Sequence, residues 1–523
     1  MQFSLAGIIR EQVASRPDAP ALTAQERTLT FAELDARSSR VAQALAAEGV
    51  GSQDRVAFIE KNSAEWFEFL LGGAKLNAVN VSVNWRLAPR EMAEIVNDAG
   101  ARVLVVGEEF RGQLAEFEDQ LATVTKTVVL GPDRDDKHER YEDWLARYPE
   151  IDPGVASGPD DVAFQLYTSG TTGLPKGVML TNSNFGMLDR TSQEWSLDGA
   201  SVNLVAMPLF HIGGGGWAIT GMSNGAHSVV LREVDAGAVL AAVPRYRVTN
   251  AFVVPAVIQM MLLHPDCPAT DFSSLRTVLY GASPIASDVL GRAVETFGCG
   301  FAQAYGLTET TGAVTILRPA DHDPGGARAG LMRSCGVPFD WVELRIADPE
   351  SGEAVPVGEV GEIWTRSVQN MKGYWRKPEE TAKTILTDGW LRTGDAGYVD
   401  DAGFVFIHDR VKDMVVSGGE NIYPAEVENV LFAHPGVADV AVIGVPSDRW
   451  GETVKAVVVR KVSPDGEALT PESLIEFSRS RLAHFKCPTS VDFIDVLPRN
   501  PSGKVLKREL REPYWRGVSR RVG

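Results

Sequence analysis

The sequence has few cysteines and no arrangement of them that does chemistry. Cys267, Cys299, Cys335 and Cys487 are scattered with no CxxC pair, which removes a zinc ribbon and a disulfide framework and predicts free thiols in a reducing cytosol. Long apolar runs are missing too. Near the N-terminus only Leu5-Ala6-Gly7-Ile8-Ile9 precedes Arg10 and Glu11, too short for a signal core and far short of the ~20 apolar residues of a membrane span. A cytoplasmic location is the expectation. Positive charge is also scarce: 51 Lys and Arg face 69 Asp and Glu, a net charge of -18. That excludes a protein that grips a nucleic-acid backbone, but a nucleotide needs only a local cationic site.

What is present is an α/β rhythm. At 523 residues the chain exceeds the ~250–300 residues at which single cores stop growing, so two or more domains are expected. Thr30-Phe31-Ala32-Glu33 is a capping box opening an amphipathic helix through Val41, Ala42, Leu45 and Ala46. Residues 56–59, 79–82, 103–106, 203–207, 228–231, 251–254 and 277–280 read as buried strands, with helical patterns between most of them. Such alternation predicts mainly parallel sheets. Between Gln113 and Ile151 periodicity weakens and charge rises, the pattern of a surface excursion rather than core. Residues 342–346 and 360–364 alternate at period two, which predicts a small antiparallel, barrel-like subdomain. Beyond Asp409 the chain starts again. Strands at 438–445 and 454–460 and helices near 425–432 and 471–482 suffice for a small α+β domain. The fold class is therefore α/β: a large domain, residues 1–409, of two α/β sheet subdomains and a barrel-like one, then a small α+β domain, residues 410–523.

The densest stretch is Tyr167-Thr168-Ser169-Gly170-Thr171-Thr172-Gly173-Leu174-Pro175-Lys176-Gly177, placed behind Val162, Phe164 and Leu166. Glycines and hydroxyls so arrive at the C-terminal end of a buried strand, where open α/β sheets bind ligands. Glycine allows tight turns that aim N–H groups at an anion, the hydroxyls add donors, and Lys176 adds charge. The spacing is not that of a Walker A loop, because Gly177 rather than Ser or Thr follows Lys176.

Further marks follow in order: Pro208-Leu209-Phe210-His211, Gln303-Ala304-Tyr305-Gly306-Leu307-Thr308-Glu309, Trp390-Leu391-Arg392-Thr393-Gly394-Asp395, Asp409-Arg410-Val411-Lys412-Asp413, Ser417-Gly418-Gly419-Glu420-Asn421 and Pro498-Arg499-Asn500-Pro501-Ser502-Gly503-Lys504. With the glycine-rich loop, the set resembles that of the acyl-adenylate-forming superfamily, which includes acyl- and aryl-CoA synthetases. The likeness runs over essentially the whole chain.

The resemblance implies roles for particular residues. Thr168, Ser169, Gly170, Thr171, Thr172, Gly173 and Lys176 would hold the ATP phosphates. Glu309 would ligate Mg²⁺, with the Thr168 hydroxyl as second ligand. Tyr305 would stack on adenine, among Gly281, Ala282, Gln303, Ala304, Gly306 and Thr308. Asp395 and Arg410 would contact the ribose. Lys504, delivered by the small domain, would stabilise the adenylation transition state. Lys412 matches the hinge position; a plain linker is the competing reading. Gly418, Gly419 and Trp450 would border the coenzyme A channel, and at Cys487 related ligases can place an arginine. The basic tail reads as a solvated helix, with coenzyme A phosphate or peripheral membrane contact as further partners; a homodimer is the open expectation for assembly.

The acid would sit among His211, Gly213, Gly214, Trp217, Val254 and Gly281. His211 reads as a lining or gating ring, or as a structural histidine. The run Gly213 to Gly216 reads as a long apolar slot, or as a helix start that needs close packing. No basic residue stands in these segments. Residues 417–428 and 510–515 look most like bacterial medium- and long-chain fatty-acid-CoA ligases, so a fatty acid is the expected substrate. Ligation of an aryl or other acid, and loading of a separate carrier protein, are the alternatives. A silent acyl-adenylate binder would lack the reactive set of Glu309, Asp395, Lys412 and Lys504.

Overall fold

The computed structural model describes residues 3–133, 137–168, 175–283, 285, 287–410, 413–417, 420–422, 424–447, 450–499 and 505–516. The chain forms two compact units, one of residues 1–343 and 365–391, the other of residues 344–364 and 392–523. The hinge expected at Lys412 falls outside the described residues, as do Ser169 to Leu174, Gly418, Gly419 and Lys504.

The first unit is built on two large, mainly parallel sheets. Among the described residues one has nine strands, with Val202–Val205, Asn250–Val253, Thr277–Gly281 and Gly300–Leu307 running side by side. The other has eight, and places Val162–Thr168 beside Val79–Ser82. Apart from Gly300–Leu307, where only Phe301, Ala302 and Tyr305 are buried, these strands are nearly continuous runs of buried residues, as sheets covered on both faces require.

Helix Phe31–Ala47 begins as expected. The Thr30 hydroxyl accepts from the Glu33 N–H at 3.2 Å, and the Glu33 carboxylate accepts from the Thr30 N–H at 2.8 Å. It buries Val41, Ala42 and Leu45 and leaves Ala46 exposed. Its neighbour, helix Ala64–Lys75, is buried almost all round, Glu68 and Lys75 included. Burial of those charges is possible because both are paired. Arg37 forks onto Glu68, its Nη2 lying 2.9 Å from Oε2, and Lys75 reaches Asp35 Oδ1 at 2.6 Å.

The stretch from Gln113 to Ile151 is not the surface excursion its charge suggested. Lys126–Leu130 joins the eight-stranded sheet parallel to Ala101–Gly107, and Tyr141, Trp144 and Leu145 of the short helix Tyr141–Leu145 are fully buried. Three apolar anchors on one helical face outweigh the charges around them, which lie on the other side.

The second unit carries a four-stranded sheet, where Gly361–Arg366 and Leu391–Val399 are neighbours and Val405–Arg410 runs antiparallel to the latter. This is the curled, half-barrel-like piece expected from the period-two pattern. A five-stranded sheet follows, in which Val437–Ser447 and Gly451–Arg460 form a long antiparallel pair. The helices Pro424–Phe432 and Pro471–Arg479 lend Val427, Leu431 and Leu474 to its core. Among the described residues no helix is long and apolar enough to cross a membrane.

Candidate functional site

The glycine-rich loop connects two paired strands. Val162–Thr168 and Lys176–Thr181 run antiparallel, with Tyr167 opposite Gly177 and Thr168 opposite Lys176. Thr168 and Lys176, which flank the loop, are thus held in register. Lys176 is mostly buried, and its Nζ lies 2.5 Å from Glu380 Oε2 and 4.9 Å from the centre of the Tyr374 ring. The Lys176 ammonium, followed by Lys383, draws the Glu380 carboxyl down to about 2.

Tyr374 donates from its hydroxyl to Glu309 Oε1 at 2.9 Å. Burial, reinforced by the Glu309 carboxylate, pushes the phenol well above its usual range, so it stays a donor. Glu309 sits on a single 3₁₀ turn, Thr308–Thr310, at the end of strand Gly300–Leu307. The chain must reverse there at once. Thr311 and Gly312 adopt left-handed backbone, and a side chain at Gly306 would lie 1.8 Å from the Gly312 carbonyl oxygen.

Gln369 fixes this corner from outside the motif. Its buried amide donates to the carbonyls of Thr310 at 2.9 Å and Ala313 at 2.6 Å, and the Thr311 hydroxyl donates to its backbone carbonyl at 2.7 Å. Thr168, Lys176 and Glu309 stand in the motifs that the sequence marks. Tyr374, Glu380 and Gln369 were missed, because their contacts span 204 residues for Lys176 and Glu380 and 65 for Tyr374 and Glu309.

Tyr305 is buried in strand Gly300–Leu307, and Gly281 pairs with Ala304 across the adjoining strand ends. Ala282 follows in a left-handed conformation, φ 66°, a strain that backbones keep where a site over-determines them. Gln303 accepts from the Tyr280 hydroxyl at 3.3 Å.

His211 is the N-cap of helix Ile212–Ser223. The turn before it is tied to the other sheet by Asn62, which donates to Met207 and Leu231 carbonyls at 3.1 and 3.0 Å and accepts from the Leu209 N–H at 3.0 Å. The imidazole Nε2 is buried with no hydrogen-bond partner. Burial, with the Arg86 charge second, lowers the ring to about 4, so it is neutral. Arg86 is the cation that the local motifs did not contain: it arrives from a distant segment and lies 6.0 Å from the Phe210 ring centre.

The glycine run is close-packed. A side chain at Gly213 would lie 2.8 Å from the Phe252 ring, at Gly214 2.1 Å from the Pro208 carbonyl oxygen, and at Gly216 3.1 Å from Leu188. Trp217 turns into the core, donating its indole N–H to the Leu204 carbonyl at 3.0 Å. Val254 is buried at the N-cap of helix Pro255–Leu263.

In the second unit Asp395 is buried, and its backbone stands opposite that of Arg410. Glu362 organises this hairpin: it pairs with Arg392 at 2.9 Å and accepts from the Gly394 N–H at 3.0 Å and the Trp364 indole at 2.9 Å. Trp450 is exposed by 47%. The Cys487 thiol is buried and points at the Ala483 carbonyl, 3.5 Å away.

Comparison with known proteins places these features in a family. Residues 9–375 match the model of the AMP-binding enzymes and residues 426–504 that of the AMP-binding enzyme C-terminal domain. The chain is 42% identical, over 97% of its length and 95% of the relative's, to a fatty acid–[acyl-carrier-protein] ligase of Streptomyces coeruleorubidus. It is 40% identical, over 95% of its length and 96% of the relative's, to a feruloyl-CoA synthase of an Amycolatopsis species. ATP-bound MatB from Rhodopseudomonas palustris shares the fold at a TM-score of 0.89 with 31% identity, over 98% of this chain and 99% of that one. A relative named for a fatty acid and one named for an aryl acid stand almost level, so identity does not favour the fatty acid expected from local similarity.

Proposed function

The chain belongs to the AMP-binding enzyme family and is an ATP-dependent, AMP-forming acid–thiol ligase that makes an acyl- or aryl-adenylate, and we propose that its acid is a compact aryl or similar acid rather than a long-chain fatty acid. The observation that carries this reading is the filled glycine run. The space that Gly213 and Gly216 would leave for an alkyl chain is taken by Phe252, Leu188 and Ile212. The Phe210 ring, its centre 4.6 Å from that of the His211 ring, suits a flat substrate ring.

The carboxylate of the acid attacks the α-phosphorus of ATP, and pyrophosphate leaves. Lys176 and the loop hold the β- and γ-phosphates, Tyr305 flanks the adenine, and Asp395 and Arg410 take the ribose. Among the described residues no group of three or more His, Cys, Asp or Glu could hold a metal. A Mg²⁺ ion would be held by Glu309 and Thr168 together with phosphate oxygens, which suits its hard, partly hydrated coordination. Bound there, it would neutralise charge on the leaving pyrophosphate. Lys504 stabilises the adenylation transition state; the small domain then turns about Lys412, and a thiol attacks the adenylate to release AMP. Gly418, Gly419 and Trp450 border the thiol's approach when it belongs to coenzyme A. Loading of a carrier protein is the second reading, supported by the 42% relative.

The test is a panel of ferulate, anthranilate, octanoate and palmitate, assayed for acid-dependent pyrophosphate release and then for thioester formation with coenzyme A or a phosphopantetheinylated carrier protein. An aryl acid is expected to exceed palmitate at least tenfold in kcat/KM, since one methylene in an apolar pocket already changes it by about tenfold or more. Palmitate as the best acid would overturn the reading.

A further inference from the structure

We propose that Met371 to Thr384 is a strap that sets Lys176 and Glu309 for the phosphates of ATP, and that Tyr374 and Glu380 are its positioning residues. The inference rests on the reading that Lys176 and Glu309 face those phosphates, and adds what holds them there.

The strap is stitched to both elements through its backbone. Met371 N–H donates to the Glu309 carbonyl at 2.8 Å, Lys372 N–H to Met179 at 3.0 Å and Trp375 N–H to Gly177 at 2.7 Å. Gly373 and Tyr374 add a short antiparallel strand to Val178 and Met179. The far side is anchored as well. The Trp375 indole donates to the Asp98 carbonyl at 2.9 Å, and the Arg55 guanidinium stacks 3.4 Å from the indole centre. From this base two side chains reach forward: the Tyr374 hydroxyl to Glu309 and the Glu380 carboxylate to Lys176.

The chemistry of each contact leaves room for substrate. Lys176 has three N–H donors and gives one to Glu380, so the ammonium can hold the carboxylate and a phosphate together. A free lysine has a long, flexible stem that must be immobilised when an anion binds. Glu380 does this beforehand. It is itself fixed by Lys383 at 2.9 Å, and it stays ionised across the working pH range. Tyr374 acts likewise on Glu309: the phenol occupies one acceptor position of Oε1 and sets the rotamer, while the carboxylate keeps the rest of its roughly four acceptor sites. One strap thus fixes a cation and an anion whose mutual placement the reaction requires.

The experiment is calorimetric titration of the full-length protein with MgATP alone. Glu380→Gln is expected to weaken binding about tenfold, Glu380→Asp by less, and Tyr374→Phe to raise the Mg²⁺ concentration needed for half-maximal binding about threefold. Because Glu380 acts through Lys176, Glu380→Gln added to Lys176→Ala should cost less than about twofold more. A Glu380→Gln protein that binds MgATP as tightly as wild type or tighter, or losses that multiply fully in the double variant, would overturn the strap. A Lys176→Ala protein with unchanged MgATP affinity would instead remove the phosphate assignment itself. Thermal melting of each variant separates a misfolded protein from a misplaced lysine, and rescue by Asp is not expected of a purely structural defect.

Discussion

The corner proposed for the phosphates and the corner proposed for the acid lie in the same unit, yet they treat polar groups in opposite ways. At the first, Lys176, Glu380, Tyr374, Glu309 and Gln369 are joined by side-chain or backbone hydrogen bonds to one another or to the turn they hold. At the second, His211 is partly buried, with its Nε2 enclosed and unpartnered, and the space beside the following glycines is filled by side chains and backbone carbonyls. Charged groups that must meet a developing charge gain from being fixed in advance. A pocket that discriminates acids works by shape, and an unpartnered nitrogen there waits for a substrate group or penalises acids that lack one. Two relatives of nearly equal identity to this chain, 42% and 40%, are named for different acids.

The largest effect should come from the first corner. Glu309→Gln keeps the shape and an oxygen for Tyr374 but removes the charge, and is expected to slow acid-dependent pyrophosphate release by about 10²–10³-fold, as for loss of one preorganised electrostatic group. Stopped-flow or isotope exchange between ATP and pyrophosphate would measure it. A loss below tenfold would mean that the network around Glu309 is structural, and the contrast between the corners would fail.

How far each corner could be read in the sequence follows from the same difference. Thr168, Lys176 and Glu309 stand in short motifs whose residue types and spacing single them out as candidates. Tyr374, Glu380 and Gln369 act across long chain separations through a strand of only two residues, Gly373–Tyr374, and no periodicity marks so short an element. Both parallel sheets were legible because buried strands are apolar runs. The region around Trp144 was misread, since its few buried rings are outnumbered by charges. At the acid corner the glycine run was visible, but whether it left a slot or a tight contact depended on Phe252 and Leu188, which local sequence does not place.

His211 offers a sharper test of the second corner. Its ring titrates near 4 in the folded protein against about 6.5 when unfolded. The unfolded chain therefore takes up a proton first as pH falls. The His211 contribution to stability is intact above about pH 6.5, is lost progressively toward pH 4, and changes no further below. The full difference is about 3 kcal/mol. Urea denaturation of wild type and His211→Asn between pH 7.5 and 4 should show wild type losing that much relative to the variant. Parallel curves would place the imidazole in contact with solvent or with a partner, and would remove the asymmetry.

The smallest expected effect distinguishes packing from charge most directly. Gly213→Ala sets a methyl 2.8 Å from the buried Phe252 ring, a side chain, whereas Gly214→Ala meets the Pro208 carbonyl at 2.1 Å, where backbone would have to move. Overpacking of the first kind costs about 1–3 kcal/mol. If the displaced Phe252 ring narrows the acid corner, Gly213→Ala is expected to lower kcat/KM for the acid about tenfold, a loss of ~1.4 kcal/mol, while the MgATP dissociation constant stays as in wild type. Gly213→Ala with Phe252→Leu should recover acid activity, because the smaller side chain returns the space. If the single variant weakens MgATP binding as much as it impairs the acid, the two corners share one packed framework. Recovery by the double variant with unchanged MgATP affinity means that the acid corner can be reshaped while the strap goes on holding Lys176 and Glu309.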